Sequence, residues 1–239
     1  MARILTYDDI RITVLEQTKN PQEIIQHALN KCMHTDDQLH GSLTKKTVRY
    51  LVDAHHMSPL EQAGMTVVAT NISRALLAQI TRQRTFKFAS SSQHYQDYRD
   101  YPFVIHPDSL YNDASINSIY EDTFDQCLEA YLALISFGVP TWEARMVLPE
   151  AITVNLQITM DANNLAKFLM TRLCKRNVEE MQCFSVKLHH LASRWFPELF
   201  NFIAPHCVMY GWCNQGHMQA PECKGKWGTT PRSARGYNG

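Results

Sequence analysis

Apolar residues recur at helical spacing along some stretches of the chain and alternate along others, so long helices and short strands are both predicted. Residues 3–16 alternate loosely through Ile4, Leu5, Ile10, Ile12 and Val14 and read as a strand. Asn20 followed by Pro21 is an N-cap with proline at the first helical position, which opens a helix through about Met33. A second helix spans Thr44 to Ala54 and stops at His55 and His56. Residues 61–71 carry a β-branched run and read as a strand, after which Ser73 caps another helix. Thr85 to Tyr98 reads as a serine-rich loop, too polar for core yet strewn with aromatics. Ile116, Ile119, Tyr120, Phe124, Cys127, Leu128, Tyr131 and Ile135 share one face of a long amphipathic helix, stopped by Gly138 and Pro140. Trp142 to Leu148 predicts a short helix, Ala151 to Met160 a strand, and Asp161 caps a helix through about Leu173. Val178 to Phe202 predicts the last long helix, bent near Pro197. Few strands among long helices, without a βαβ rhythm, give an α+β expectation. The expected architecture is a mixed single domain over residues 1–205, with a mainly antiparallel central sheet flanked by long helices. A Cys- and Gly-rich tail, 206–239, follows, its end loose.

Composition narrows the function classes. Among 239 residues, 45% are hydrophobic and 19% charged, as in an ordinary globular protein. Lys+Arg and Asp+Glu are equal at 23 each, so no global field draws the chain to nucleic acid or a membrane. No stretch approaches the roughly 18 apolar residues of a membrane span, and the first residues lack a signal-peptide pattern, so a cytoplasmic location is expected. Seven irregularly spaced cysteines then read as reduced thiols rather than a disulfide framework.

Candidate chemistry concentrates in Arg82-Gln83-Arg84, which is followed after seven residues by Ser92 in the run Ser90-Ser91-Ser92-Gln93-His94-Tyr95. Guanidinium forks and short hydroxyl donors suit phosphate, although an isolated R-x-R is more often a solvated helix end. Arg145 lies in the apolar stretch ARMVLPE, where it meets either a bound anion or a carboxylate of the chain. Arg172 closes the helix DANNLAKFLMTRL, where offsetting the helix dipole is the plain explanation. His56 opens a turn-like segment. No HExxH, P-loop, GxSxG or GxGxxG is present. Cys207, Cys213 and Cys223, with His206 or His217, offer ligands, but C-x5-C-x9-C is no standard zinc spacing, and no metal is expected.

Taken in order, these segments resemble the flavin-dependent thymidylate synthase (ThyX-like) family. Arg82-Gln83-Arg84, seven residues and Ser92 stand for its R-H-R and serine signature, HHMSPLEQ for H-x-x-P-x-E-H, and ARMVLP for R-x-V-L-P. DANNLAKFLMTRL is similar to its N-A-R-x-L-x-x-F-L-x-x-R helix, and the cysteine-bearing tail to that of some members. The resemblance implies reductive methylation of dUMP to dTMP, with FAD as cofactor, NADPH and methylenetetrahydrofolate as co-substrates, and a homotetramer. It also implies that Arg172 is catalytic, contacting the pyrimidine and promoting ionisation at ring N3. Gln79, Arg82, Ser90, Ser91, Ser92, Gln93, His94, Arg145 and Arg172 are the substrate-binding residues so implied. His56, Ser58, Arg82, Gln83, Arg84, Ser90, Asp161, Asn163 and Lys167 are those for FAD.

Departures from the pattern bear on FAD affinity, the nucleotide and the outcome of carbon transfer. Gln83 replaces the middle histidine, Ala89-Ser90 an Asn-Glu pair, and His94 an arginine. Asn163 stands for the flavin-contacting arginine, and Lys167 returns a positive charge four residues on. Two further readings stand beside the first: hydroxymethyl or methyl transfer to a related pyrimidine nucleotide such as dCMP, and a non-catalytic nucleotide-binding protein.

Overall fold

The computed structural model describes residues 2–32, 43–92, 94–104 and 113–223. The expected end of the first helix at Met33, Gln93, and the last part of the tail lie outside these residues. The fold is α+β, as expected, with an antiparallel four-stranded sheet. Its strands are β2 (Arg11–Gln17), β3 (Gly64–Ser73), β6 (Thr153–Asp161) and β4 (Lys87–Ser90), in that spatial order. A separate parallel pair joins β1 (Ile4–Leu5) to β5 (Phe103–Val104). The helices are α1 (Pro21–Cys32), α2 (Lys45–Asp53), α3 (Arg74–Ile80), α4 (Ala114–Ser136), α5 (Thr141–Ala144), α6 (Ala162–Arg172), α7 (Glu179–Trp195), α8 (Pro197–Phe200) and α9 (His206–Tyr210). Among the described residues no helix is long and apolar enough to cross a membrane.

Two compact units are present, Met1–Thr13 with Val67–Ile158 and Val14–Thr66 with Thr159–Gly239. In the first, Tyr98, Phe103, Phe124, Tyr131, Ala144 and Ile152 form a buried cluster. The Phe103 and Phe124 rings stack at 4.6 Å. Only Phe124 and Tyr131 of α4 are buried, while Ile116 and Ile119 of its predicted apolar stripe are exposed. In the second unit, α6 buries Leu165, Ala166, Phe168 and Leu169, and α7 buries Met181, Phe184 and Leu188. Full burial of such side chains contributes about 1.5–3 kcal/mol each.

Three sequence expectations need correction. Residues 3–16 are not one strand: Thr6 and Asp9 form a capping box that turns the chain through Tyr7–Asp9 before β2 begins. The segment 85–98 is not all loop, because β4 forms within it and Ser91 N–H then bonds the Asn155 carbonyl at 3.0 Å. A four-residue edge strand with mostly exposed side chains leaves little apolar pattern to read. Nor is 85–98 excluded from the core, since Phe86 and Tyr98 are buried. The break of the last long helix near Pro197 is present, at Phe196 between α7 and α8.

Candidate functional site

In the first unit, Ser73 caps α3 by accepting from Leu76 N–H at 2.9 Å, and α3 delivers Gln79 and then Arg82, Gln83 and Arg84 just past its end. Arg82 and Arg84 are exposed, and no described side chain or carbonyl bonds their guanidinium groups. Gln83 spends its amide on Thr85 Oγ1 at 2.8 Å. The chain then enters β4, which exposes Ser90, and leaves it through Ser91 and Ser92. Ser92 Oγ accepts from His94 N–H at 3.3 Å, turning the chain there. The His94 ring stacks on Trp142 of α5 with centroids 4.7 Å apart, and Tyr95 meets the same imidazole edge-on at 4.6 Å. Arg145 follows α5 directly and is half-buried. This unit therefore brings His94 to α5, one turn ahead of Arg145, while Gln93 lies outside the described residues.

Below this loop, Tyr131 Oη accepts from Tyr98 N–H at 3.1 Å and donates to Asp97 Oδ1 at 3.4 Å. Arg99 pairs with Asp97 at 2.6 Å. The Arg99 hydrogen bond holds the Asp97 carboxyl below its usual range, and burial pushes the Tyr131 phenol up.

In the second unit, Asp161 caps α6. Its Oδ1 accepts from Asn164 N–H at 2.8 Å and its Oδ2 from Asn164 Nδ2 at 2.7 Å, so the cap occupies both oxygens. Asn163 is buried and donates to Glu61 Oε1 at 2.7 Å, while its Oδ1 finds no hydrogen-bond partner among the described residues. An unmatched buried acceptor costs about 1–3 kcal/mol, so this oxygen marks a place for a donor. Lys167, one turn on, is exposed. Arg172 at the far end donates from Nη1 to Asn177 Oδ1 at 3.1 Å and lies 6.0 Å over the Phe168 ring. Asn177 in turn donates to the Thr171 and Cys174 carbonyls at 2.9 and 3.0 Å, closing the turn beyond the helix. His56 and Ser58 are exposed at the start of the 3-10 turn Ser58–Gln62, the same turn that supplies Glu61.

Three partners went unassigned in the sequence. Glu61 stood within the HHMSPLEQ segment, and its spacing from His56 was the available signal. Trp142 and Asn177 carried none, because stacking and turn closure depend on residues distant in sequence or on backbone carbonyls.

A cavity of about 680 Å³ lies among Glu16, Gln17, Thr18, Lys19, Gly64 and Thr159, and none of the assigned residues lines it. Two smaller cavities border the end of α6 and the segment after Pro205. There burial raises the Cys207 thiol above its ordinary value, and Cys213, Cys223 and Cys174 push it the same way.

Residues 13–198 match the family model described as thymidylate synthase complementing protein, Thy1. A flavin-dependent thymidylate synthase of Geobacter sulfurreducens is 30% identical over 217 residues, covering 87% of this chain and 93% of the relative. Another from Pyrococcus furiosus is 25% identical over 233 residues, covering 90% and 93%. A crystal structure of a UMP/dUMP methylase from Streptomyces cacaoi, bound with 5-Br dUMP, superposes with a TM-score of 0.73 at 18% identity. It covers 83% of this chain and 95% of its own, a likeness of fold.

Proposed function

The chain belongs to the Thy1 family and is a flavin-dependent transferase of the thymidylate synthase type, and from that premise we propose that it methylates dUMP at C5 to give dTMP. The carbon comes from methylenetetrahydrofolate. When bound, FAD supplies the redox chemistry, passing reducing equivalents from NADPH to the transferred carbon. The observation that carries the reading is α6. The segment that resembles the family's binding helix is one capped helix, open for a donor at Asn163 and ending in an arginine anchored by Asn177.

Arg172 sets a fixed cation beside the base oxygen, where negative charge builds as C5 adds to carbon. Gln79, Arg82, Ser90, Ser91, Ser92, Gln93, His94 and Arg145 hold the nucleotide. Arg82, Gln83, Arg84 and Ser90 also bind FAD, as do His56, Ser58, Asp161, Asn163 and Lys167. Two observations support the flavin in particular: the exposed guanidinium groups of Arg82 and Arg84, unbonded among the described residues, and the Asn163 oxygen, unmatched among them. We further assign a cytoplasmic homotetramer, with residues 206–239 as a tail to the catalytic domain. A second reading keeps the scaffold and changes the product, to a hydroxymethyl group or a different pyrimidine. Ala89 and Ser90, exposed on β4 without a carboxylate, favour it.

Purified protein should show flavin absorbance and form dTMP only when dUMP, NADPH and methylenetetrahydrofolate are all present. Mass spectrometry of products from dUMP and dCMP separates the two readings. A preparation that takes up neither FAD nor a uracil nucleotide overturns both.

A further inference from the structure

We propose that Cys174, Cys207, Cys213 and Cys223 bind one soft divalent metal ion, zinc by its chemistry, which fastens the segment after Pro205 to the end of α6. All four line a single cavity of about 220 Å³ and are free thiols. They come from separate places: Cys174 just beyond α6, Cys207 on α9, Cys213 past the left-handed turn at Gly211, and Cys223 in the last described 3-10 turn. An adjoining cavity of about 250 Å³ shares Cys174, Cys207 and Cys213. Neither cavity is lined by Cys32, Cys127 or Cys183, so the gathering is selective.

Four sulfur ligands without a carboxylate match a closed tetrahedral zinc site. Binding is balanced as four thiols plus Zn²⁺ giving a tetrathiolate of net charge −2 and four released protons. Lys175 and Arg176 line the same cavity and offset that charge. Among the described residues no three Cys, His, Asp or Glu side chains already surround one point. Metal binding would therefore draw the four sulfurs together, as in sites that form with their metal. The tail spacing C-x5-C-x9-C left this unread because the fourth ligand, Cys174, sits upstream of both α7 and α8. An Arg176 Nη1 bond to Gln215 Oε1 at 2.6 Å already joins the two segments. The metal would hold the turn whose Asn177 anchors Arg172.

Elemental analysis of the full chain, purified reduced and without chelators, should find about one zinc per chain. Cys213→Ser and Cys223→Ser should each lose most of it, and Cys127→Ser should keep it. Since the buried Cys213 variant could misfold, metal-free wild type is also titrated with Co²⁺. A thiolate-to-cobalt charge-transfer band with tetrahedral visible bands, erased by zinc, is the expected result. Protein that carries no zinc and gives no cobalt bands overturns the proposal, as does a disulfide among these four in a non-reduced digest. Flavin absorbance of the same sample is read separately, so loss of the proposed reaction and loss of the metal site are told apart.

Discussion

The two stretches that carry most of the assigned residues, 82–94 and 161–172, are held by different means. In the second, three of the assigned polar groups have a structural duty: Asp161 caps α6, Asn163 is buried against Glu61, and Arg172 is clamped by Asn177. In the first, backbone bonds and one ring stack fix the path while Arg82 and Arg84 extend into solvent. A helix whose ligand groups are also its scaffold presents them preorganised, which lowers the cost of binding. A loop with free cations supplies charge cheaply but must order those side chains when phosphate arrives, at about 0.5–1.5 kcal/mol each. Substitutions should therefore separate stability from binding in one stretch and confound them in the other.

The largest effect is expected at Arg172. Arg172→Ala should cost roughly a hundredfold or more in turnover, with flavin absorbance retained. Arg172→Lys should preserve the folded helix end and recover only part of the rate. Near-normal dTMP formation by the alanine variant would remove the assigned role. Next, Arg82→Ala and Arg84→Ala should each weaken FAD binding by about tenfold to a hundredfold, the worth of a charge-assisted hydrogen bond. Their melting temperatures should scarcely move, because surface substitutions stay within about 0.5 kcal/mol. A marked thermal loss in either would show the loop to be held as tightly as α6. Third, Asp161→Ala should destabilise the protein by about 1 kcal/mol through loss of the cap, measured by denaturant titration; unchanged stability would sever capping from α6.

The smallest effect is electrostatic. Because Arg99 holds the Asp97 carboxyl low, the folded state favours its ionised form. That stability is present above the ordinary carboxylate pKa and is lost as pH falls through the lowered folded value. Asp97→Asn should flatten the acid limb of melting temperature against pH and leave neutral pH nearly unchanged, since the pair is exposed. An acid limb identical to wild type would remove the pair from the balance.

Helices and caps were legible because their signals are local. Pro21, Ser73 and Asp161 announce their helices within a turn, and the structure starts α1, α3 and α6 there. The order of motifs pointed to the family that the match over residues 13–198 establishes. Strand β4 was missed because an exposed edge strand lacks alternation, whereas α4 was found, although periodicity records an apolar face without saying what covers it. The sequence offered no element signal in the tail, yet α9 and two 3-10 turns form in its described part and Cys213 is buried. Among the described residues the hydrogen bond from Arg176 to Gln215 ties it back across 39 positions, a link no local pattern encodes.

Gly64 shows how little room the sheet leaves for drift. A Cβ built there would lie 2.9 Å from the Met160 carbonyl oxygen, a backbone atom that cannot step aside. Nearby, the Thr66 and Thr159 hydroxyls meet at 2.9 Å across the same two strands. Position 64 is thus closed to every side chain at the present strand spacing, and a library randomised there and selected for folding should return glycine alone.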